Sequence, residues 1–156
     1  MPTPPFIIDL RSRIGHAPLW LLGANALVLR GEEVLLVRRA DTGEWSPISG
    51  IVDPGELPSE TAVREAEEEA GVVIEVDRLL WTIVTEEIVY ANGDRCRYLD
   101  HGFRASWVSG EPYVGDEEST EVGWFNVSEL PTPRQERLEA MVRIALEDPR
   151  DVVFHL

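Results

Sequence analysis

The chain has 156 residues and a mass of 17.5 kDa, which suits one domain. Its apolar fraction of 44% excludes wholesale disorder. Fourteen basic residues, all arginine, face twenty-nine acidic ones, and the net charge of −15 argues against binding nucleic acid through a broad basic face. The longest apolar-rich stretch, 17–29, is broken by Pro18, Gly23 and Asn25 and is too short to cross a membrane. The first residues carry no basic start followed by a long apolar run, so a cytoplasmic location is expected. The single cysteine, Cys96, excludes an internal disulfide and a cysteine-cluster zinc site.

No repeat or linker-like stretch interrupts the chain, so 1–156 reads as one domain, with a core at about 18–147 and a short N-terminal segment at 1–17. Residues 20–29 and 34–38 read as strands joined by a turn at 30–33. Residues 40–57 read as a loop, marked by Gly43, Pro47, Gly50 and Pro54-Gly55. Residues 58–70 read as a helix with proline at its first position and Gly71 just past its end, although Leu57 stands where a capping Ser or Thr would be expected. Residues 72–76 and 80–90 read as strands. Asn92-Gly93 marks a hairpin, with 95–107 as the return strand. Residues 121–127 read as a last strand. Thr132-Pro133-Arg134-Gln135 matches a capping box that opens a second helix, with Leu138, Met141, Val142 and Ala145 on one face. Several strands and two helices predict an α+β or α/β fold, with a mixed β-sheet between helices.

Between Asp53 and Asp77 there are nine acids and one base, Arg64. In the first predicted helix Glu65, Glu68 and Glu69 are spaced i, i+3, i+4 and share one face. Val63, Ala66 and Ala70 fall on the opposite side, where they can pack on a sheet. Three like charges on one face destabilise a helix unless a cation gathers them. Hard oxygen donors at this density suit Mg2+ or Mn2+. Taken alone, the run also reads as a solvated acidic face.

Its setting decides between the two. Residues 50–72 read G-x5-E-x7-R-E-A-x-E-E-x-G-V, which resembles the signature of the Nudix hydrolases. The seven fixed residues match by chance on the order of 10⁻⁷ per start position. Looser resemblance runs over about 20–146, including Val122-Gly123-Trp124-Phe125 followed by Glu129-Leu130-Pro131. One departure is Ile48-Ser49-Gly50, where the family often has Pro-Gly-Gly. Serine is compatible with that loop if its φ is negative.

The resemblance implies an α/β/α sandwich and a hydrolase that cleaves a diphosphate linkage with Mg2+, or with Mn2+. It places Glu65, Glu68 and Glu69 as metal ligands and Glu56 as the loop glutamate that ligates metal through water or orients a ligand. Arg64 is the arginine that holds a motif glutamate, and it also stands four residues after Glu60, as in an ordinary helix-surface ion pair. Many family members use a further glutamate from a later loop as ligand or general base. Within Asp116-Glu117-Glu118, spacing to Trp124 selects Glu118, with Glu117 and Glu121 close behind, and an ordinary exposed acidic loop reads equally well.

The signature reads the diphosphate and not what is attached to it. Arg38 and Arg39 end a strand beside the motif loop, either as phosphate contacts or as a strand-end charge pair. Trp45, Tyr90 and Phe103 either stack on a base or join the core. The expected partner is a small-molecule diphosphate: an (oxidised) nucleoside triphosphate, a nucleotide sugar or a dinucleoside polyphosphate. Family members are often dimers, and the segment 4–18 is expected to pack on a second copy. The alternative is a Nudix-fold nucleotide sensor that does not hydrolyse, a reading that a complete motif disfavours.

Overall fold

The computed structural model describes residues 3–156. In chain order the elements are α1 (Pro5–Ile14), β1 (Leu19–Arg30), β2 (Glu33–Arg39), β3 (Trp45–Ser46), β4 (Ile48–Ile51), α2 (Pro58–Ala70), β5 (Val73–Val84), β6 (Ile88–Val89), β7 (Arg95–Ser109), β8 (Ser119–Asn126) and α3 (Leu138–Glu147). The strands form one mixed sheet with the order β3-β2-β1-β7-β5; β4 also pairs with β1, β6 with β7 and β8 with β2. Its spine is the parallel pair of β1 and β7, in register from Leu19↔Cys96 to Leu29↔Ser106.

Period-two alternation divides the apolar side chains between the two faces of this sheet. On one face Ala24, Ala26 and Val28 of β1 join Leu35 and Val37 of β2 beneath Ala62, Ala66 and Ala70 of α2. On the other, Leu27 and Leu29 join Val34 and Leu36 beneath Leu138, Met141, Val142 and Ala145 of α3. Both central strands are therefore buried on both sides, and each fully buried Leu or Val contributes roughly 1.5–3 kcal/mol. The expected sandwich with a mixed sheet between helices is the observed fold.

The first helical expectation holds to the residue. α2 spans Pro58–Ala70 and ends on Gly71, whose left-handed backbone (φ 66°) few other residues adopt without strain. With no polar side chain at Leu57, Glu60 supplies half of a capping box: its carboxylate accepts the Leu57 N–H at 2.8 Å. The inward stripe is Ala62, Ala66 and Ala70, whereas Val63 is partly exposed. Alanines at these positions let the helix axis lie close to the strands.

Other expectations are corrected. The N-terminal segment holds a helix, α1, which docks Ile7 on the chain's own Leu21 and Cys96. The 40–57 loop contains β3 and β4. The strands expected at 72–76 and 80–90 are largely one strand, β5, kept in register with β7 by bulges at Val76/Arg78 and Leu79/Trp81. The capping box at Thr132 does not form, and α3 starts only at Leu138. Residues 133–135 instead lie along β3: Trp45 N–H donates to Pro133 O and Gln135 N–H to Trp45 O, both at 2.9 Å.

The α3 face also holds Trp81, fully buried, with its indole across Gly102. A Cβ at Gly102 would overlap that ring. Gly102→Ala is therefore expected to destabilise the fold by about 1–3 kcal/mol, read as a lower urea midpoint with an unchanged slope.

Candidate active site

The site begins where α2 crosses β4. Strand β4 runs antiparallel to β1 with Ala24↔Gly50 in register, on the α2 side of the sheet. The Glu65 side chain rests on Gly50, and a Cβ at that position would overlap its carboxylate. Glu65 is 1% exposed and Glu69, one turn later, 5%. Glu68 stands at the solvent edge, so the three glutamates share a side of the helix but not an environment.

Burial has the effect expected of desolvation. It pushes the Glu65 carboxyl up to about 7, against the pull of Arg64. It pushes Glu69 up to about 8, aided by the charges of Glu65, Asp116 and Glu118 and opposed by the Ser49 N–H, which donates to Glu69 Oε2 at 3.3 Å. Ser119 Oγ donates to Glu69 Oε1 at 3.4 Å. Ser49 replaces a family glycine without strain, since its φ is not positive.

Glu56 and Arg64 form a separate unit. Arg64 binds Glu56 through Nε and Nη2, both at 2.9 Å, and Thr61 Oγ1 adds a 2.6 Å bond. This fork, more than any other contact, holds the Glu56 carboxyl down at about 2. The Arg64 Nη1 donates to Glu65 Oε1 at 2.7 Å and reaches Glu68 Oε2 at 3.4 Å. Arg64 thus bridges three of the motif's glutamates, and its role goes beyond a surface pair with Glu60. Among the described residues no three His, Cys, Asp or Glu side chains are closed around one point as a metal cage. The donor chemistry nevertheless fits a hard divalent cation: all-oxygen ligands, two carboxyls raised by burial and mutual repulsion, and a glycine at the floor.

A NUDIX domain model matches residues 20–144. The chain belongs to the Nudix family. It is 34% identical over 129 residues to the NAD-capped RNA hydrolase NudC of Pseudomonas putida (strain W619), covering 79% of this chain and 41% of that protein. It is 39% identical over 107 residues to NudC of Pseudomonas aeruginosa (strain LESB58), covering 67% and 36%. The chain thus spans about two-fifths of the length of these curated relatives. Among solved structures, a MutT Nudix hydrolase from Burkholderia pseudomallei is 29% identical with a TM-score of 0.63, covering 80% of this chain and 97% of that one. A UDP-X diphosphatase shares the fold at a TM-score of 0.70 and 18% identity, covering 96% and 74%. The signature is complete, the relatives are named hydrolases, and the family generally uses divalent cations.

Against the Nudix expectation the remaining residues divide. Arg39 lies on the motif side, where the charges of Asp41, Tyr90 and Glu69 all raise its pKa behind its main bond to Asp41. Arg38, one residue earlier, faces the other way and pairs with Glu121 at 2.6 Å. Glu121 is therefore turned away from the glutamates, while Asp116 and Glu118 lie near Glu69. Tyr90 is half-buried and shares a 2.7 Å hydroxyl contact with Tyr98. Trp45 is corrected from base-stacker to core: it is 7% exposed and meets Phe125 edge-on at 4.6 Å. Phe103 is buried beneath α2 as well. Asp116 and Ser119 were not singled out from sequence, where only their place in the acidic run before Val122 marks them.

The raised carboxyls set a pH dependence. Both titrate higher in the folded chain than in an unfolded one, where the ordinary value is near 4.5, so their ionisation opposes folding. Their contribution is fully present below about pH 4.5 and is lost as pH rises through 7 and 8. Without divalent cations, thermal stability is expected to fall between pH 5.5 and 8.5 by on the order of 5 kcal/mol. Glu69→Gln should flatten that fall, and Mg2+ should reverse it at pH 8.5, both read by calorimetric melting.

Proposed function

We propose that this chain is a Mg2+-dependent diphosphohydrolase, with Mn2+ as an effective substitute, acting on a nucleoside diphosphate linked to a second moiety. The observation that carries the reading is the gathering of Glu65, Glu69, Asp116 and Glu118, whose charges raise the Glu69 carboxyl on top of its burial. A cluster that repels itself this strongly is suited to a cation and opposes an anionic substrate without one.

Glu65, Glu68 and Glu69 would hold the metal, which requires Arg64 to release its hold on Glu65 and Glu68 while keeping the fork to Glu56. Glu56 then acts chiefly by fixing Arg64. Bound there, Mg2+ would supply neutralisation of phosphate oxygens and a lower water pKa. Water bonds to phosphorus as the bridging P–O bond breaks and its electron pair leaves with the displaced phosphoryl group. Glu118 accepts the water's proton, with Asp116 beside it. Arg39 grips a substrate phosphate and Tyr90 offers a ring face to a base.

The relatives named NAD-capped RNA hydrolase suggest a diphosphate joining two nucleosides. With a net charge of −15, a free dinucleotide is the better substrate than a long RNA. The test is mass-spectrometric hydrolysis with Mg2+ or Mn2+, over triphosphates, oxidised triphosphates, nucleotide sugars, ADP-ribose, dinucleoside polyphosphates, NAD and NAD-capped RNA. Turnover is expected to vanish in EDTA and to fall at least 100-fold in Glu68→Gln with the melting curve unchanged. Turnover that survives exhaustive chelation would overturn the metal role. Tight nucleotide binding without turnover at any metal would favour the sensor.

A further inference from the structure

The C-terminal end of α2 leaves backbone carbonyls without helical partners, as every helix does. Two are closed locally: Gly71 N–H donates to Glu67 O and Val72 N–H to Ala66 O. Two more are closed from outside. Tyr113 N–H donates to Ala70 O at 3.1 Å and Gly115 N–H to Glu69 O at 3.0 Å. The 110–118 loop is thereby strapped along the last turn of the helix that carries Glu65, Glu68 and Glu69.

The strap is built for close approach. The Tyr113 ring lies over Gly71, where a Cβ would overlap it. A Cβ at Gly110 would meet Gly71 O at 2.7 Å. At Gly115 a Cβ would overlap Glu68 O, a backbone atom inside a helix that cannot swing aside as a side chain would. Gly115 does not have a positive φ, so space and not backbone conformation is what requires glycine there.

Downstream the loop is fixed a second time. Ala40 N–H donates to Glu118 O at 2.7 Å, and Ser119 enters β8 opposite Arg39. Asp116 Oδ1 accepts the Glu118 N–H at 2.9 Å. Glu118 lies only three residues after the Gly115 anchor, so the position of the acids follows the anchor closely.

We propose that Gly115 is a positioning residue, whose contact with the α2 carbonyls holds Asp116 and Glu118 against the glutamate face of that helix. It acts through those two acids and touches no substrate. The inference rests on the diphosphohydrolase reading for the acids' catalytic use, but not for their contribution to cation binding.

The experiment compares wild type, Gly115→Ala, the pair Asp116→Asn/Glu118→Gln, and all three changes together. Each is measured by calorimetric Mn2+ titration, by kcat and KM at saturating Mg2+, and by thermal melting. Gly115→Ala is expected to weaken Mn2+ about 10-fold and to lower kcat about 10- to 100-fold, with KM changed far less. In the background lacking both acids, the same change should cost less than about 3-fold in either quantity, because a positioning effect disappears with the groups positioned. Equal losses in both backgrounds, or no loss in the first, would overturn the proposal. If Gly115→Ala does not fold, Tyr113→Ala loosens the strap without overlap and carries the same comparison at smaller amplitude. Wild type that binds Mn2+ but hydrolyses nothing would sink the diphosphohydrolase reading, and the Mn2+ titrations would still decide the role of Gly115.

Discussion

Two carboxylates are buried between a helix and a strand, and the rest of the site is arranged around the cost of putting them there. Glu65 and Glu69 sit on the inner side of α2, beside the alanine stripe that brings the helix down to the sheet. Desolvation raises both, and each charge adds to the burden of the other or of its neighbours. Three groups offset the cost: the Arg64 guanidinium, the Ser49 N–H and the Ser119 hydroxyl. The loop acids do the reverse and concentrate more negative charge on Glu69. A fold selected for stability alone would not collect these charges, which is why the cluster reads as chemistry and not as structure.

The scaffold explains how such a site is tolerated. Both faces of β1 and β2 are covered, one by α2 and one by α3, so the core is extensive on each side of the strands that support the site. Three of the crowded positions gather around α2. Gly50 lies beneath Glu65, Gly71 beneath Tyr113, and Gly115 against Glu68 O. On the opposite side Asn25 Nδ2 donates to Asp100 at 2.6 Å and the Trp81 indole approaches the same carboxylate at 3.5 Å. That trio is buried but mutually satisfied, in contrast to the carboxylate cluster under α2.

The main elements were legible because their signals are local. Pro58 and Gly71 bracket α2, and Asn92-Gly93 sets the turn between β6 and β7. The apolar runs at 20–29 and 34–38 gave β1 and β2 within a residue or so. The misreadings share one cause. β3 and β4 are too short to show a period, the bulges in β5 mimic a break, and the Thr132 capping box competes with a backbone ladder to Trp45. Each of those outcomes depends on a partner distant in sequence.

The sequence by itself determined the family motif, the helix that carries it and the three glutamates that share one side of that helix. Those follow from residue type and from spacings of three and four, which a helix converts directly into a shared side. Only the tertiary structure decided which glutamates are buried, that Arg64 is forked to Glu56, that Arg39 and not Arg38 faces the site, and that Trp45 belongs to the core. A bulge between Arg38 and Arg39 in the pairing with β8 sends Glu121 to one face and Ser119 to the other. Burial, facing and register are properties of pairs of elements, and no single stretch of sequence contains them.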